Sequence, residues 1–324
     1  MAYTSSDVAA AATEASSRIG AMIVRTPLLR AAELSAETSA NVFLKLENRQ
    51  TTGSFKLRGA SNRLLTLTPA QRAAGCVAAS SGNHGAAVAC AMQKLAVHGV
   101  IFVPQQTSPK KVSAIRSYGG DVQFFGSDGL DTELHAREYA TRNAMVYLSP
   151  YNDRAVIAGQ GTCGVEIVAQ LPAIDAIFIA VGGGGLISGV GSVLRAHNPN
   201  VRIYGCQPAA SAVMAESVAA GRILDLPSAP TLSDGTAGGI EADAITFDLC
   251  RELIDEFVLV SEAQIAAGMR RYLATYGEAI EGAAGVALAA MLARKTDLAG
   301  QNIAVIICGG NVSQQRIDEV QQWS

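Results

Sequence analysis

The stretch Ile177-Phe178-Ile179-Ala180-Val181-Gly182-Gly183-Gly184-Gly185-Leu186 decides the fold class. A short run of apolar, partly β-branched residues reads as a strand buried on both faces, which belongs to a parallel sheet covered by helices. The four glycines feed a helix predicted over residues 186–197. A strand ending in glycines at a helix N-terminus turns several backbone N–H groups towards one point, where the helix dipole favours an anion. The turn therefore predicts a phosphate site. The dinucleotide spacing G-x-G-x-x-G fails, because Ile187 or Ser188 stands in the third glycine's place. The next strand ends in Cys206-Gln207, without the acidic ribose ligand. With the Walker pattern also absent, a single phosphate group fits best.

Working outward, apolar strands are predicted at 42–46, 77–80, 100–103, 122–125, 176–180, 201–206 and 303–307. Helical patterns such as 85–94, 110–118, 159–171 and 186–197 lie between them. This alternation predicts an α/β protein with parallel sheets. The polar cluster Leu148-Ser149-Pro150-Tyr151-Asn152-Asp153 marks a break between two α/β blocks. Residues 224–246, rich in proline and glycine, read as a long loop, of a length that is usually functional or disordered, containing Asp234-Gly235-Thr236-Ala237-Gly238-Gly239.

The composition narrows the class. A chain of 324 residues suggests two domains, at roughly 150 residues each. It is 49% hydrophobic and 16% charged, which excludes a disordered chain. A net charge of −3 and a single Trp (Trp323) argue against nucleic-acid binding. No run approaches the ~18 apolar residues of a membrane span, and no signal peptide is visible, so a cytoplasmic protein away from membranes is expected. The cysteines (Cys76, Cys90, Cys163, Cys206, Cys250, Cys308) are scattered, and the histidines show no ligand spacing. Neither disulfides nor a metal site is expected.

Two further turns carry chemistry. Ser80-Ser81-Gly82-Asn83-His84-Gly85 follows an apolar strand and precedes a helix, so hydroxyls, an amide and free N–H groups converge as a carboxylate would require. Taken alone, it is an ordinary helix cap. Cys308-Gly309-Gly310-Asn311 ends the last strand at the sheet edge that normally faces a ligand, which singles out Cys308 among the cysteines. Finally, Ser54-Phe55-Lys56-Leu57-Arg58-Gly59-Ala60 places Lys56 beside an aromatic ring. A desolvated lysine has a lowered pKa and forms a Schiff base with a carbonyl. Phosphate cradle, carboxylate cradle and lysine together describe pyridoxal phosphate chemistry on an amino acid.

These motifs, with Ala155-Val156-Ile157-Ala158-Gly159-Gln160-Gly161-Thr162, occur in order over nearly the whole chain. In them the sequence resembles the fold type II pyridoxal phosphate enzymes (tryptophan synthase β-like), specifically the threonine/serine dehydratase and serine racemase family. The resemblance implies two open twisted α/β domains with the cofactor in the cleft: a large domain of residues 1–72 and 149–324 and a small domain of residues 73–148. It implies that Lys56 forms the Schiff base, Phe55 packs on the ring, Asn83 meets the ring hydroxyl and Gly182, Gly183, Gly184 and Gly185 hold the phosphate. Cys308 would stand beside the pyridine nitrogen. Ser81, Gly82, Asn83 and His84 would bind the substrate carboxylate, with Gly238 at the substrate and Ser81 as a second catalytic residue. The partner is a small amino-acid substrate, and a homodimer is common in the family.

The implied reaction is dehydration of a 3-hydroxy amino acid to a 2-oxo acid and ammonia. Threonine, serine or a bulkier phenylserine are the candidate substrates. The alternatives are an amino-acid racemase, or a dehydratase of hydroxyaspartate or a hydroxyectoine-derived compound. Serine racemase relatives hold a divalent cation after the strand ending at Cys206, but Gln207 and the carboxylate-free Ala209-Ala210-Ser211-Ala212-Val213 do not supply its ligands. The chain ends 13 residues after Asn311, so the regulatory domain of biosynthetic threonine dehydratases is not expected. Gly238-Gly239 replace hydroxyl side chains of serine racemases, and Arg154 stands where relatives often have Pro.

Overall fold

A computed structural model describes residues 3–323. Among these residues ten strands form two sheets: β1 (Leu28–Arg30), β2 (Asn41–Leu46), β3 (Cys76–Ala79), β4 (Gly99–Val103), β5 (Asp121–Phe124), β6 (Val146–Tyr147), β7 (Ala176–Ala180), β8 (Arg202–Pro208), β9 (Glu256–Val260) and β10 (Asn302–Ile307). The six-stranded sheet has the order β1-β2-β10-β7-β8-β9, and the four-stranded sheet the order β5-β4-β3-β6. Every pairing is parallel except β1 with β2. The chain thus leaves the large sheet after β2, builds the four-stranded sheet from β3 to β6, and returns at β7. This is mixed α/β architecture with helices against both sheets.

The burial pattern explains the layers. All five residues of β7 are buried, and Phe178 stacks on Tyr204 of β8 with ring centroids 4.3 Å apart. Burying one such side chain contributes about 1.5–3 kcal/mol. In the four-stranded sheet the pattern has period two. Cys76, Ala78, Ile101 and Val103 pack with Leu57, Leu64 and the helix Asn83–Leu95 on one face. Val77, Val100 and Phe102 pack with Ala136 and Ala140 of the helix Gly129–Arg142 on the other.

Differences from the sequence reading lie at element edges and in short strands. The helix predicted over 159–171 begins earlier, at Arg154, because Asp153 caps it by accepting from the Ala155 and Val156 amides at 2.8 and 2.9 Å. Arg154 occupies its first position and lays its guanidinium 4.6 Å from the Tyr3 ring centroid. Strands β1, β6 and β9 were not visible in the sequence. The first two are only three and two residues long, and β9, Glu256 followed by four apolar residues, lies at a sheet edge with Val258 and Val260 buried. Residues 224–244 have no regular secondary structure. Among the described residues, no helix is long and apolar enough to cross a membrane.

Not every glycine belongs to an anion cradle. In the 155–162 motif a Cβ at Gly159 would strike the Arg58 carbonyl oxygen, and one at Gly189 would strike the motif's Ile157 carbonyl oxygen. These positions bring the helices Lys56–Leu65, Arg154–Gln170 and Gly185–His197 into close contact. The motif therefore fixes the support beneath Lys56 as a packing unit.

Candidate active site

The site lies where the carboxyl ends of β3, β7 and β10 meet the helix carrying Lys56. Lys56 is the first residue of the helix Lys56–Leu65 and is positioned from both sides. Phe55 N–H donates to the Cys308 carbonyl at 3.1 Å, and Ser54 bridges Gly309. Lys56 Nζ donates to the Pro150 carbonyl oxygen at 2.8 Å and stands 5.2 Å from the Phe55 ring centroid. Burial lowers the Lys56 pKa to about 8, so much of the amine is neutral in mildly alkaline solution.

A buried charge network holds this helix from behind. Arg58 donates to Glu47 from Nε and Nη2 at 2.8 and 2.7 Å, and to Glu166 from Nη1 at 2.8 Å. Lys45 pairs with Glu166 at 2.5 Å and also donates to the Thr26 carbonyl. Two cations face two carboxylates, so the charge is balanced inside the core. Burial pushes the Glu47 carboxyl up, but the Arg58 guanidinium outweighs it and the group ends below its usual range.

The glycine turn after β7 has the predicted form. Gly184 adopts φ +84°, a left-handed conformation, and caps the helix Gly185–His197. The amides of Gly183, Gly184 and Gly185 donate to no acceptor among the described residues, so they remain available to an anion. The Tyr151 ring lies so close to Gly183 that a Cβ there would collide with it, and Thr246 Oγ1 donates to the Gly183 carbonyl at 2.7 Å.

The second turn lies at the end of β3. Gly82 opens on empty space, since a Cβ there would meet nothing within 4 Å. The helix Asn83–Leu95 starts with no side-chain cap from Gly82, whose own amide donates to Ser80 Oγ at 3.2 Å. Ser81 is partly exposed. The His84 side chain is instead buried, with Nε2 donating to the Leu148 carbonyl at 2.8 Å. Burial, reinforced by Lys56, lowers its pKa to about 3 and keeps the ring neutral. His84 can therefore offer an anion its backbone N–H but not an imidazolium.

Sequence reasoning missed Glu281. Asn83 Nδ2 donates to both of its carboxylate oxygens, at 2.9 and 2.8 Å, and Asn311 N–H donates to it at 2.8 Å. Asn311 Nδ2 in turn donates to Asn83 Oδ1 at 2.7 Å. Burial raises the Glu281 pKa to about 7, and the Asn83 and Asn311 bonds limit the rise. Cys308 is buried beside this cluster and burial pushes its thiol well up, so it stays neutral. Gly238 has φ +112° and donates to Ser211 Oγ at 3.2 Å, and a Cβ there would find no neighbour. Ser211, in the carboxylate-free segment after β8, also bonds Ser228 at 2.8 Å.

The comparisons with known proteins agree with this geometry. The family described as Pyridoxal-phosphate dependent enzyme matches residues 19–309. The chain belongs to that family. A curated relative, L-threonine dehydratase catabolic TdcB of Staphylococcus aureus (strain N315), is 37% identical over 311 residues, covering 95% of this chain and 90% of the relative. The processed form of threonine deaminase isoform 2 from Solanum lycopersicum superposes with a TM-score of 0.94 at 33% identity, covering 100% of this chain and 95% of that one. Maize serine racemase superposes with a TM-score of 0.90 at 32% identity, covering 97% and 96%. The fold type II resemblance is thus established, and the protein is a pyridoxal-phosphate dependent enzyme.

The residues present fit that cofactor. A desolvated amine suits a Schiff base with its aldehyde, three uncommitted amides at a helix start suit its phosphate, and a neutral thiol suits the edge of its ring.

Proposed function

We propose that the protein is a dehydratase (ammonia-lyase) of a small 3-hydroxy amino acid, with Lys56 as the catalytic base. The observation that carries this reading is the Lys56 amine itself, desolvated beside Phe55 and Cys308 and brought to a pKa of about 8. The relatives named for threonine dehydration and deamination support it.

When bound, the cofactor supplies an aldehyde that captures the substrate amine and a ring that accepts electrons from the α-carbon. In this reading Gly182 to Gly185 hold the phosphate through their amides. Phe55 would cover one face of the ring, Asn83 would meet the ring hydroxyl, and the Ser81-Gly82-Asn83-His84 turn would hold the substrate carboxylate, with Gly238 at the substrate. A neutral Cys308 thiol beside the pyridine nitrogen would leave the ring a weaker electron sink than a carboxylate would, which favours prompt loss of a β-substituent. Lys56 Nζ takes the α-proton. Overall, the 3-hydroxy amino acid becomes a 2-oxo acid and ammonium, with the elements of water lost and regained.

In this reading the substrates run from serine and threonine to phenylserine, and the lack of crowding at Gly82 and Gly238, where an added Cβ would meet nothing within 4 Å, supports the bulkier end. Residues 73–148 would act as a small domain that approaches the remainder, residues 1–72 and 149–324, around the cofactor. A racemase is the second reading, favoured by the likeness to maize serine racemase and by Ser81, whose hydroxyl could return a proton to the opposite face. The test is to offer threonine, serine, phenylserine and 3-hydroxyaspartate and to measure 2-oxo acid together with the enantiomer of the remaining substrate. Lys56→Ala should abolish the 2-oxo acid; an unchanged rate in that variant would overturn the proposal.

A further inference from the structure

Glu241 sits in the irregular stretch 224–244, two residues after the Gly238-Gly239 pair, and joins three parts of the molecule. Its side chain accepts from Asn152 Nδ2 at 2.9 Å and Ser149 Oγ at 3.4 Å. Its backbone N–H donates to the Tyr151 hydroxyl at 2.9 Å. Asn152 Oδ1 meanwhile accepts from the Ile245 amide at 3.0 Å. Segment 149–152 is the one whose Pro150 carbonyl holds Lys56 and whose Tyr151 ring lies on Gly183. The third part is the helix Gly129–Arg142 of the four-stranded sheet, from which Arg137 places Nη2 2.8 Å from Glu241 Oε2. Arg137 is oriented there by Glu133, at 2.8 Å, and by the Tyr147 ring, 4.3 Å from the guanidinium carbon.

The glycines near Glu241 have no side chains to pack, and Gly238 is held by its amide on Ser211 Oγ at 3.2 Å. A Cβ at Gly238 or Gly239 would meet nothing within 4 Å, and Gly238 has a left-handed φ of +112°. Such a turn has many accessible conformations, so its position depends on the anchors at its ends. Glu241 is the charged anchor, and Arg137 reaches it from the other sheet.

We propose that Glu241 is a positioning residue which, through Arg137, ties the Gly238-Gly239 turn and the Ser149–Asn152 segment to the four-stranded body and so closes the cleft on an amino-acid substrate. The proposal rests on the dehydratase reading for its substrate but not for its geometry. Closure by this contact lowers the free energy of the substrate-bound state. Its loss therefore raises KM and leaves the proton transfer at Lys56 nearly intact.

The test uses cofactor-loaded enzyme and the variants Glu241→Gln, Arg137→Gln, their double, and the exchanged pair Glu241→Arg with Arg137→Glu. Hydrogen exchange of the amides at 238–245 reads the anchor without turnover. Either single variant should accelerate it about tenfold, the double no further, since the two residues act as one contact. KM should rise by a similar factor with kcat within about twofold, and the exchanged pair should recover part of the loss. Exchange unchanged in both single variants, additive effects in the double, or a fall in kcat at constant KM would each overturn the proposal. Should Glu241→Gln fail to fold, Arg137→Gln, at a partly exposed site, still decides it. Coupled exchange in an enzyme that made no 2-oxo acid would sustain the anchor and refute the dehydratase.

Discussion

Asn83 Nδ2 lies 2.9 and 2.8 Å from the two oxygens of Glu281, a contact that links the start of the helix after β3 to the start of the helix Gly282–Ala293. One group is the amide assigned to the cofactor's hydroxyl, and the other is a buried carboxyl whose pKa stands at about 7.

The burial of Glu281, which the Asn83 contact only partly offsets, gives stability a pH dependence of definite sign. Unfolded, the Glu281 carboxyl releases its proton near 4.5; folded, it keeps it to about 7. The native state therefore binds more protons across this window, and this contribution is lost as pH rises through it. Urea unfolding of the cofactor-free protein at pH 5 and pH 7.5 should show the loss, and Glu281→Gln should remove it. Identical pH slopes for both proteins would refute the assignment.

His84 acts in the opposite sense. Its ring titrates near 6.5 when unfolded and at about 3 in the fold, so the unfolded chain binds the extra proton between those values. Stability from this group is present above pH 6.5 and lost as pH falls. His84→Gln should flatten the acid limb of a melting-temperature profile. An unaltered limb would mean the ring is not held neutral.

Lys56 should set the pH dependence of cofactor capture. Schiff base formation needs the neutral amine, and its pKa stands at about 8 rather than 10.5. The rate at which cofactor-free protein gains visible absorbance from added pyridoxal phosphate should rise to a plateau above about pH 8. A rate still climbing at pH 10 would contradict the desolvated pocket.

Gly183→Ala tests the phosphate cradle. Its Cβ would collide with the Tyr151 ring, so either the turn or Tyr151 must shift. A displacement of this kind misaligns uncommitted amides, and cofactor affinity should fall at least about tenfold, or about 1.4 kcal/mol. Equilibrium titration followed by cofactor fluorescence measures it.

Glu47→Ala would leave Arg58 with one fewer carboxylate inside the core. Removing one partner of a buried pair costs about 3–5 kcal/mol. Urea unfolding should show that loss, together with weakened cofactor capture, because Lys56 precedes Arg58 on the same helix.

Much of this was legible in the chain because its signals are local. The Ile177 to Gly185 stretch specifies strand, turn and helix start within nine residues, and all five residues of β7 are buried as that run predicted. Glu281 was not legible. It follows Ala279-Ile280 and precedes Gly282 without a charge pattern, and its role arises only when Asn83 and Asn311, 198 and 30 residues away in sequence, meet it. The same holds for Glu241 with Arg137, and for Arg58, whose motif is visible but whose partners Glu47 and Glu166 lie on separate elements. Strand β9, Glu256-Phe257-Val258-Leu259-Val260, carries the apolar run of a strand that the sequence reading passed over, and in the fold it lies at a sheet edge with Leu259 exposed.

The most direct measurement of the central claim is a paired assay of ammonium and 2-oxo acid from a 3-hydroxy amino acid, with chiral analysis of the substrate left over. The account predicts equal amounts of ammonium and 2-oxo acid, and neither product from Lys56→Ala. Racemised substrate without 2-oxo acid would contradict it.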